Sequence, residues 1–428
     1  MVIPHKKLEL KKRCQNWQSY ANIIMQKEID MSISKRVKEI SPSLTLEITA
    51  KAKKLKAEGV SIIGFGAGEP DFNTPEYIIN AAKEALDIGF TKYTPAAGMV
   101  ELKKAIVNKF KKDNGLDYEI DQVVVSSGAK SSLYHAICAI VEDGDEVILP
   151  SPFWLTYPEL IGLAGGKTVY IKATSENDYK ITAKQFEQAV TSKTKAIILN
   201  TPNNPTGSVY SENEIREIAE VCEKYGIYCI SDEIYEKLVY GGEKHFSIAS
   251  VNNYMKEHTV IINGMSKTYA MTGWRIGYIA APKDIAKAVS NMQSHTTSNA
   301  CSISQYASVV ALNDPEGEKF CEEMQQVFDK RRLFMLDKLS KIEGIKPVTP
   351  KGAFYVFVDV SGFYGKTFDG EVIDGSLKFA NLALKKGVAL IPGVAFGDDD
   401  CIRLSYAISI EDIEEGLNRL NEFLSEIK

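Results

Sequence analysis

The sequence lacks the features that mark a secreted, membrane-spanning or nucleic-acid-binding protein. Its seven cysteines are scattered and show no Cys-x-x-Cys spacing, which excludes a dense disulfide framework and predicts reduced, mostly buried thiols. No apolar run is long enough to cross a bilayer. The net charge of -5 offers no general attraction to nucleic acid or to an anionic membrane. We therefore expect a cytoplasmic protein whose partners are small molecules.

The first thirty-one residues lack the patterning of the rest of the chain. They are basic at first, and they contain neither the apolar core of a secretory signal nor the composition of a transit peptide, which is rich in Arg and Ser and poor in acids. We expect residues 1–31 to be an N-terminal extension without stable structure.

The rest of the chain alternates short apolar runs with helical patterns. Seven runs, most of them separated by helices, predict a mainly parallel seven-stranded sheet of an α/β protein, with its ligand beyond the carboxyl ends of the strands. A helix predicted at 315–342 leads to a smaller α/β unit, in which the apolar run 388–391 is predicted as one strand. The seven runs are 123–125, 146–150, 167–171, 196–199, 227–230, 258–262 and 276–280.

Polar side chains of several types follow these runs. A lysine in a closed pocket, such as Lys267, can form a Schiff base with an aldehyde. An aspartate at a strand end, such as Asp232, can keep a pyridine nitrogen protonated and so make the ring an electron sink. Both residues are therefore candidate catalytic groups.

Four neighbouring residues complete the chemistry. Asn204 and Tyr235 can hydrogen-bond a ring hydroxyl, whereas Ser266 and Arg275 offer a hydroxyl and a planar fork suited to phosphate. The set describes a pyridoxal 5′-phosphate site. An Asn-Pro bond can be cis at modest cost, and we hypothesise a cis bond at Asn204–Pro205 that helps to aim the Asn204 amide.

The same residues lie in motifs with a family resemblance. Asn-Asn-Pro-Thr-Gly at 203–207, Ser-Asp-Glu-Ile-Tyr at 231–235, Ser-Lys-Thr-Tyr at 266–269 and Gly-Trp-Arg-Ile-Gly at 273–277 occur in the family's order. They resemble class I aminotransferases of pyridoxal-phosphate fold type I, and within them the bacterial-type aspartate aminotransferase group. The resemblance covers roughly Ser32 to the C-terminus.

The resemblance implies a domain plan and an assembly. Residues 32–75 would contribute to a small domain and a dimer arm, 76–314 would form the large cofactor-binding domain, and 315–428 would complete the small domain. A homodimer with shared active sites is implied, in which Tyr93 reaches the neighbouring subunit's cofactor phosphate.

The resemblance also implies roles for residues whose type alone is ambiguous. The turn of Gly128, Ala129 and Lys130, between a strand and a helix N-terminus, is the implied phosphate cradle, which suits the free N–H groups there. Trp154 would stack on the cofactor ring and border the substrate, as Asn204 does. Gly68 would lie beside the substrate. An arginine within an apolar strand is costly unless it is paired. Arg403 therefore either forms a structural ion pair or, as the resemblance implies, binds the substrate α-carboxylate through two hydrogen bonds.

Fewer residues bear on the choice of substrate than on the cofactor. No arginine occurs between Arg275 and Arg331, so the arginine that the animal-type subgroup uses for the distal carboxylate is absent. In the bacterial-type subgroup a lysine at the position of Lys130 serves instead, which favours transamination of L-aspartate with 2-oxoglutarate. Thr45 matches a small polar residue near the substrate, whereas Ser41 stands where relatives that accept prephenate tend to carry lysine.

The sequence leaves several alternative functions open. A related aminotransferase with alanine, aromatic or prephenate specificity would share most of these motifs, and a pyridoxal-phosphate-dependent C–S lyase would share Lys267, Asp232 and Tyr235. A transcription regulator would need a DNA-binding domain before the family-like region, where only about thirty residues stand. A binding protein without activity would be expected to lose Lys267 or Arg403.

Overall fold

The computed structural model describes residues 33–428, and the chain divides into two compact units, Met1–Ser41 and Pro42–Lys428. The predicted extension 1–31 lies outside the described residues. The described part of the first unit holds one short helix, α1 (Lys35–Lys38). The second unit contains all the elements below, and among the described residues no helix is long and apolar enough to cross a membrane.

A seven-stranded sheet forms the centre of the second unit. Its strands are β2 (Val123–Ser126), β3 (Glu146–Ser151), β4 (Lys167–Lys172), β5 (Thr194–Asn200), β6 (Tyr228–Asp232), β7 (Thr259–Gly264) and β8 (Gly277–Ala280). They lie in the order β2-β8-β7-β6-β5-β3-β4. Only β8 runs antiparallel to its neighbours in this sheet. The predicted mainly parallel, seven-stranded sheet is confirmed.

Helices cover both faces of this sheet, which explains why its inner strands are largely buried, whereas the edge strand β4 is mostly exposed or half-buried. In β7, Val260 and Ile262 pack in one core cluster and Ile261 packs in another, as alternating side chains of a strand require. The helices of this part are α3 (Glu76–Asp87), α4 (Val100–Asn114), α5 (Ala129–Ile140), α6 (Thr156–Leu163), α7 (Ala183–Ala189), α8 (Glu212–Tyr225), α9 (Asn253–His258), α10 (Met265–Thr268), α11 (Lys283–Thr296) and α12 (Ser302–Asn313).

A second, antiparallel sheet follows in the chain. It has the order β14-β15-β10-β9, built from β9 (Lys346–Pro347), β10 (Tyr355–Asp359), β14 (Ile391–Pro392) and β15 (Cys401–Ser405). The remaining elements near it are α2 (Leu44–Ala57), α13 (Glu316–Leu339), α14 (Ser376–Lys385), α15 (Ile410–Ser425), β1 (Ile63–Gly64), β11 (Thr367–Phe368), β12 (Glu371–Val372) and β13 (Val388–Ala389). Phe354, Val356, Leu404 and Phe423 are fully buried in its core.

Three details of the structure bear on the predictions made from the sequence. The run 388–391, predicted as one strand, is divided into β13, which pairs with β1, and β14, which pairs with β15. The Asn204–Pro205 peptide is cis, as hypothesised, and so are Ser151–Pro152 and Thr201–Pro202. The cysteines of the described part are thiols, most of them buried, which agrees with the predicted reduced state.

Candidate active site

A cavity of about 690 Å³ opens beyond the carboxyl ends of β5, β6 and β7. Side chains from both sheets and from α2 line it. The predicted site residues in its lining are Gly68, Ala129, Lys130, Trp154, Asn204, Asp232, Tyr235, Ser266, Lys267, Arg275 and Arg403. Residues that are up to 335 positions apart in sequence, from Gly68 to Arg403, therefore meet at one place.

Lys267 lies on the short helix α10, which begins directly after β7. Its amine donates a hydrogen bond to the Gly68 carbonyl oxygen at 2.5 Å. Burial lowers the pKa of the Lys267 amine to about 8, and Glu69 opposes the shift while Arg275 adds to it. A substantial fraction of the amine is therefore neutral near physiological pH, as a nucleophile or a base requires.

Asp232 ends β6 and is buried at the floor of the cavity. Its carboxylate accepts hydrogen bonds from the Tyr157 hydroxyl at 2.8 Å and from the Ile234 N–H at 3.2 Å. Burial nevertheless raises the pKa of Asp232 to about 6, although the Tyr157 hydrogen bond lowers it. A cation placed against this carboxylate would relieve that cost, which is the environment that a protonated ring nitrogen needs.

Tyr235 follows three residues later and is also buried. Its hydroxyl lies 3.0 Å from the hydroxyl of Tyr355 on β10, so a hydrogen bond joins the turn after β6 to the second sheet. Burial raises the pKa of the Tyr235 phenol well above its usual value, with the contact to Tyr355 adding to the shift. The phenol therefore stays protonated and is able to donate.

Two acidic neighbours anchor the segment that carries Asp232 and Tyr235. Glu233 accepts hydrogen bonds from Ser247 at 2.6 Å and contacts His245 at 3.0 Å. Glu236 accepts from Asn263 at 2.8 Å and forms a buried ion pair with Lys109. Burial alone would raise the pKa of Glu236, but Lys109 and His245 bring it down to about 2. Both carboxylates are thus fixed in place on either side of Tyr235.

Arg403 on β15 is 3% exposed, and no carboxylate among residues 33–428 lies within ion-pair distance of it. Its guanidinium donates to the Asn204 side-chain oxygen at 2.9 Å and to the Gly66 carbonyl at 3.2 Å, while its Nε has no hydrogen-bond partner in the part of the chain that the structure describes. The structural ion pair considered for Arg403 is therefore not present in the described chain. A buried guanidinium paired only with neutral groups is suited to an incoming carboxylate.

A second anion-binding feature lies at the N-terminus of α5. Gly128 caps this helix with φ +86°, and a Cβ there would lie 2.3 Å from the Arg275 guanidinium. Only glycine permits this approach of an arginine fork to free helix N–H groups. Ser266, which is buried, lines the same cavity as Arg275.

Trp154 and Lys130 form one wall of the cavity. The Lys130 amine lies 4.9 Å from the centroid of the Trp154 ring, a cation–π contact. Trp154 packs edge-on against Tyr157, with ring centroids 5.4 Å apart. Burial and the neighbouring Arg275 lower the pKa of Lys130. Both effects disfavour the charged amine, so an anion bound beside Lys130 would offset them.

Comparison with known proteins matches residues 60–420 to the model of the family "Aminotransferase class I and II". The chain belongs to this family. It is 49% identical over 393 residues to an aspartate aminotransferase of Bacillus sp. (strain YM-2), an alignment that covers 92% of this chain and 99% of the relative. A probable aspartate/prephenate aminotransferase of Aquifex aeolicus (strain VF5) is 46% identical, with coverage of 92% and 99%.

Solved aminotransferases have the same fold. The crystal structure of the aspartate aminotransferase from Rhizobium meliloti matches with a TM-score of 0.89 at 40% identity and covers 93% of this chain and 100% of its own. The Thermus thermophilus aspartate aminotransferase with maleate matches with a TM-score of 0.87 at 39% identity, covering 92% and 99%. The predicted fold of this aminotransferase is confirmed.

Pyridoxal 5′-phosphate is the cofactor of these aminotransferases, and the residues of this chain fit it. Arg275 and the N-terminus of α5 suit a phosphate, and the buried Asp232 suits a cationic ring nitrogen. Lys267 presents an amine with a lowered pKa between them. These residues thus suit the three reactive parts of the cofactor: its phosphate, its ring nitrogen and its aldehyde.

Tyr93 is the predicted site residue that lies apart from the others. Its side chain is 91% exposed and does not line the cavity. Its contribution to a neighbouring subunit stays a prediction.

Three residues of this aminotransferase's site were missed from the sequence. Tyr157 supports Asp232, Tyr355 contacts Tyr235, and Asn200 accepts from the Asn204 backbone N–H at 2.9 Å while donating to the Asp232 carbonyl. Asn200 ends β5, so the strand-end rule that found Asp232 applies to it as well. No local signal marks Tyr355, which reaches the site from the other sheet.

Proposed function

We propose that the protein is an aspartate aminotransferase, which transfers the amino group of L-aspartate to 2-oxoglutarate and yields oxaloacetate and L-glutamate. The observation that carries the proposal is the cavity in which the buried Arg403 guanidinium, without a carboxylate partner in the described chain, shares the lining with the Lys267 amine. The identity of nearly half over almost the full length to named aspartate aminotransferases supports the same reaction.

Lys267 carries the proton transfer in this proposal. Bound pyridoxal 5′-phosphate supplies an electron sink that stabilises negative charge at the α-carbon of the amino acid. The Lys267 amine would hold the cofactor at its aldehyde carbon, and once released it would take the α-proton of the amino acid and deliver it to that carbon. Its pKa of about 8 suits both directions, because neither the neutral nor the charged form is strongly disfavoured near neutral pH.

The residues around Lys267 hold the cofactor in the orientation that this transfer needs. Asp232 would pair with the ring nitrogen, and Tyr235 and Asn204 would donate to the ring oxygen. Ser266, Arg275 and the turn of Gly128 and Ala129 would bind the phosphate, while Trp154 would stack on the ring. Tyr157 keeps Asp232 in position through its 2.8 Å hydrogen bond.

Arg403 orients the substrate. A planar guanidinium binds a carboxylate through two parallel hydrogen bonds, which fixes both the position and the rotation of the amino acid. Gly68 would lie beside the substrate, because it lines the cavity and its carbonyl accepts a hydrogen bond from the Lys267 amine. When the α-hydrogen is held towards Lys267 in this way, the entropic cost of orienting the substrate is met on binding, which lowers the barrier to proton transfer.

Assembly and location extend the proposal. We place the enzyme in the cytoplasm as a homodimer, in which Tyr93 of each subunit completes the site of the other. The exposed position of Tyr93 and its absence from the cavity of its own chain support that arrangement. The buried thiols among the described cysteines accord with a reducing compartment.

The test uses the purified enzyme loaded with pyridoxal 5′-phosphate and mixed with L-aspartate alone. The absorption spectrum should convert from the pyridoxal to the pyridoxamine form, with one oxaloacetate per site and no ammonia. Release of pyruvate and ammonia without an acceptor would instead indicate a lyase. Conversion with alanine or phenylalanine but not with aspartate would keep the chemistry and overturn the proposed donor.

Lys130 should determine the preference for a second carboxylate. In Lys130→Gln, kcat/KM for aspartate should fall by about tenfold to a hundredfold, because a charge-assisted hydrogen bond contributes about 1.5–3 kcal/mol. The rate constant for L-alanine, which has no second carboxylate, should change by less than about twofold. Half-reaction kinetics with both donors measure the split.

Lys287→Gln is the matched control for Lys130. Lys287 is exposed on α11 and does not line the cavity, so the same loss of charge should leave both rate constants unchanged. An equal loss with alanine and aspartate in Lys130→Gln would contradict a role in distal carboxylate binding.

A further inference from the structure

The cavity is far more positive than the protein as a whole. The chain carries a net charge of -5, yet the charged groups that line the cavity are six cations and two carboxylates. The cations are Lys53, Lys56, Lys130, Lys267, Arg275 and Arg403, and the carboxylates are Glu69 and Asp232. The excess of positive charge is confined to the cavity, so its cause should be what the cavity binds.

The proposed function accounts for the charges deep in the cavity. Arg275 and Asp232 face charged parts of the cofactor, and Lys267 holds it. Lys130 and Arg403 take the two carboxylates of the substrate. Two cations, Lys53 and Lys56, have no assigned role in this scheme.

Lys53 and Lys56 extend a stripe on α2 that begins beside Arg403. A Cβ on Gly66, whose carbonyl accepts from Arg403, would lie 3.6 Å from the Thr49 hydroxyl. Because an α-helix rises 1.5 Å per residue, Lys53 and Lys56 lie roughly 6 and 10 Å further along the axis than Thr49. Both are exposed and both line the cavity, so they stand at its entrance.

The other lysines in the middle of α2 are engaged elsewhere. The Lys51 amine donates to the Asn381 side chain at 3.0 Å, and Lys54 lies 3.9 Å from the Glu58 carboxylate. No carboxylate in the described chain forms an ion pair with Lys53 or Lys56. Their charges therefore act on whatever enters the cavity, over a range of about 10 Å at 0.1 M salt.

We propose that Lys53 and Lys56 favour the entry of dianionic 2-oxo acids into the cavity over that of monoanionic or zwitterionic amino acids, which rests on the proposed function and adds a specificity element to it. Clefts lined by charges of one sign raise the local concentration of oppositely charged ligands. The attraction scales with ligand charge, so it acts twice as strongly on 2-oxoglutarate as on aspartate. A zwitterion without net charge, such as alanine, is hardly affected.

The test compares the wild-type holoenzyme with Lys53→Gln/Lys56→Gln at low ionic strength. For 2-oxoglutarate, kcat/KM should fall by about threefold to tenfold, a modest value within the range of electrostatic steering. The loss should be smaller for aspartate and absent for alanine, with kcat unchanged. The dissociation constant of succinate, a dicarboxylate that cannot react, should rise by a similar factor. All these effects should shrink at about 0.5 M salt, where the screening length is only a few ångströms.

Lys51→Gln/Lys54→Gln is the matched control, because it removes the same charge from the same helix at positions outside the cavity lining. It should keep wild-type constants. Two results would overturn the inference and leave the proposed function intact, provided that the wild type transaminates aspartate. One is an equal loss of kcat/KM in both double variants, and the other is no loss in Lys53→Gln/Lys56→Gln. A wild type inert towards aspartate would defeat the proposed function, and the succinate titration would still decide the role of the two lysines.

Discussion

Lys267→Ala should lower kcat for transamination by about 10⁴-fold or more, because it removes both the covalent attachment and the acid–base group, and general acid–base catalysis alone contributes about 10²–10⁴-fold. The cofactor should still bind, since Arg275, Asp232 and the α5 N-terminus remain. The variant should also keep the fold, because within residues 33–428 the Lys267 amine donates one hydrogen bond, to the Gly68 carbonyl.

The decisive measurement is a single-turnover reaction with aspartate, followed by the cofactor spectrum. A small primary amine added to Lys267→Ala should restore part of the rate in proportion to its concentration, because the missing function is that of an amine in a cavity with room for it. Addition of the same amine to the wild type is the control. Retention of more than about 1% of the wild-type rate without added amine would contradict the assigned role.

Asp232→Asn should lower kcat/KM by about a thousandfold, a magnitude typical of removing one preorganised electrostatic contact from a catalytic site. The asparagine still offers an oxygen to the Tyr157 hydroxyl, so the loss reports on charge rather than on packing. Half-reaction rates with aspartate measure it. Asp284→Asn, an exposed substitution on α11 outside the cavity, is the control that should leave the rates unchanged.

The stability of the cofactor-free protein supplies an independent readout for Asp232. Its pKa is raised from 3.8 to about 6, so between these values the folded state binds more protons than the unfolded state, and stability falls as the pH rises. Asp232→Asn removes this cost. The variant should therefore gain stability over the wild type, and the gain in the free energy of unfolding should be about 1 kcal/mol larger at pH 8 than at pH 5. Denaturant unfolding at both pH values checks it, and a gain independent of pH would argue against a buried carboxylate of raised pKa.

The sequence predicted the central sheet because parallel strands covered on both faces are continuous apolar runs, as in β7. It predicted Asp232 and Lys267 because each follows such a run within a short motif. It did not predict the division of 388–391, since pairing with β1 and with β15 depends on partners distant in the chain.

Some contacts in the site could not be predicted either, because they join residues that are distant in sequence. Tyr235 and Tyr355 are 120 positions apart, and nothing near Tyr355 marks it as a neighbour of the site. For Arg403, the sequence alone left a choice between an ion pair and a carboxylate clamp. In the described chain the partners of the guanidinium are Asn204 and Gly66, neither of which carries a negative charge, so the ion pair is excluded there and the clamp stays a prediction.

The hydrogen bonds Arg403–Asn204 and Tyr235–Tyr355 have a consequence for the evolution of affinity. Each joins a residue of the seven-stranded sheet region to a residue of the four-stranded sheet, and both lie in the substrate cavity. A carboxylate that engages Arg403 must compete with, or share, the contact that holds the two layers together. Substitutions in the core of either layer that change their spacing will therefore alter KM, and the Michaelis constant can drift over generations without any change in the residues that touch the substrate.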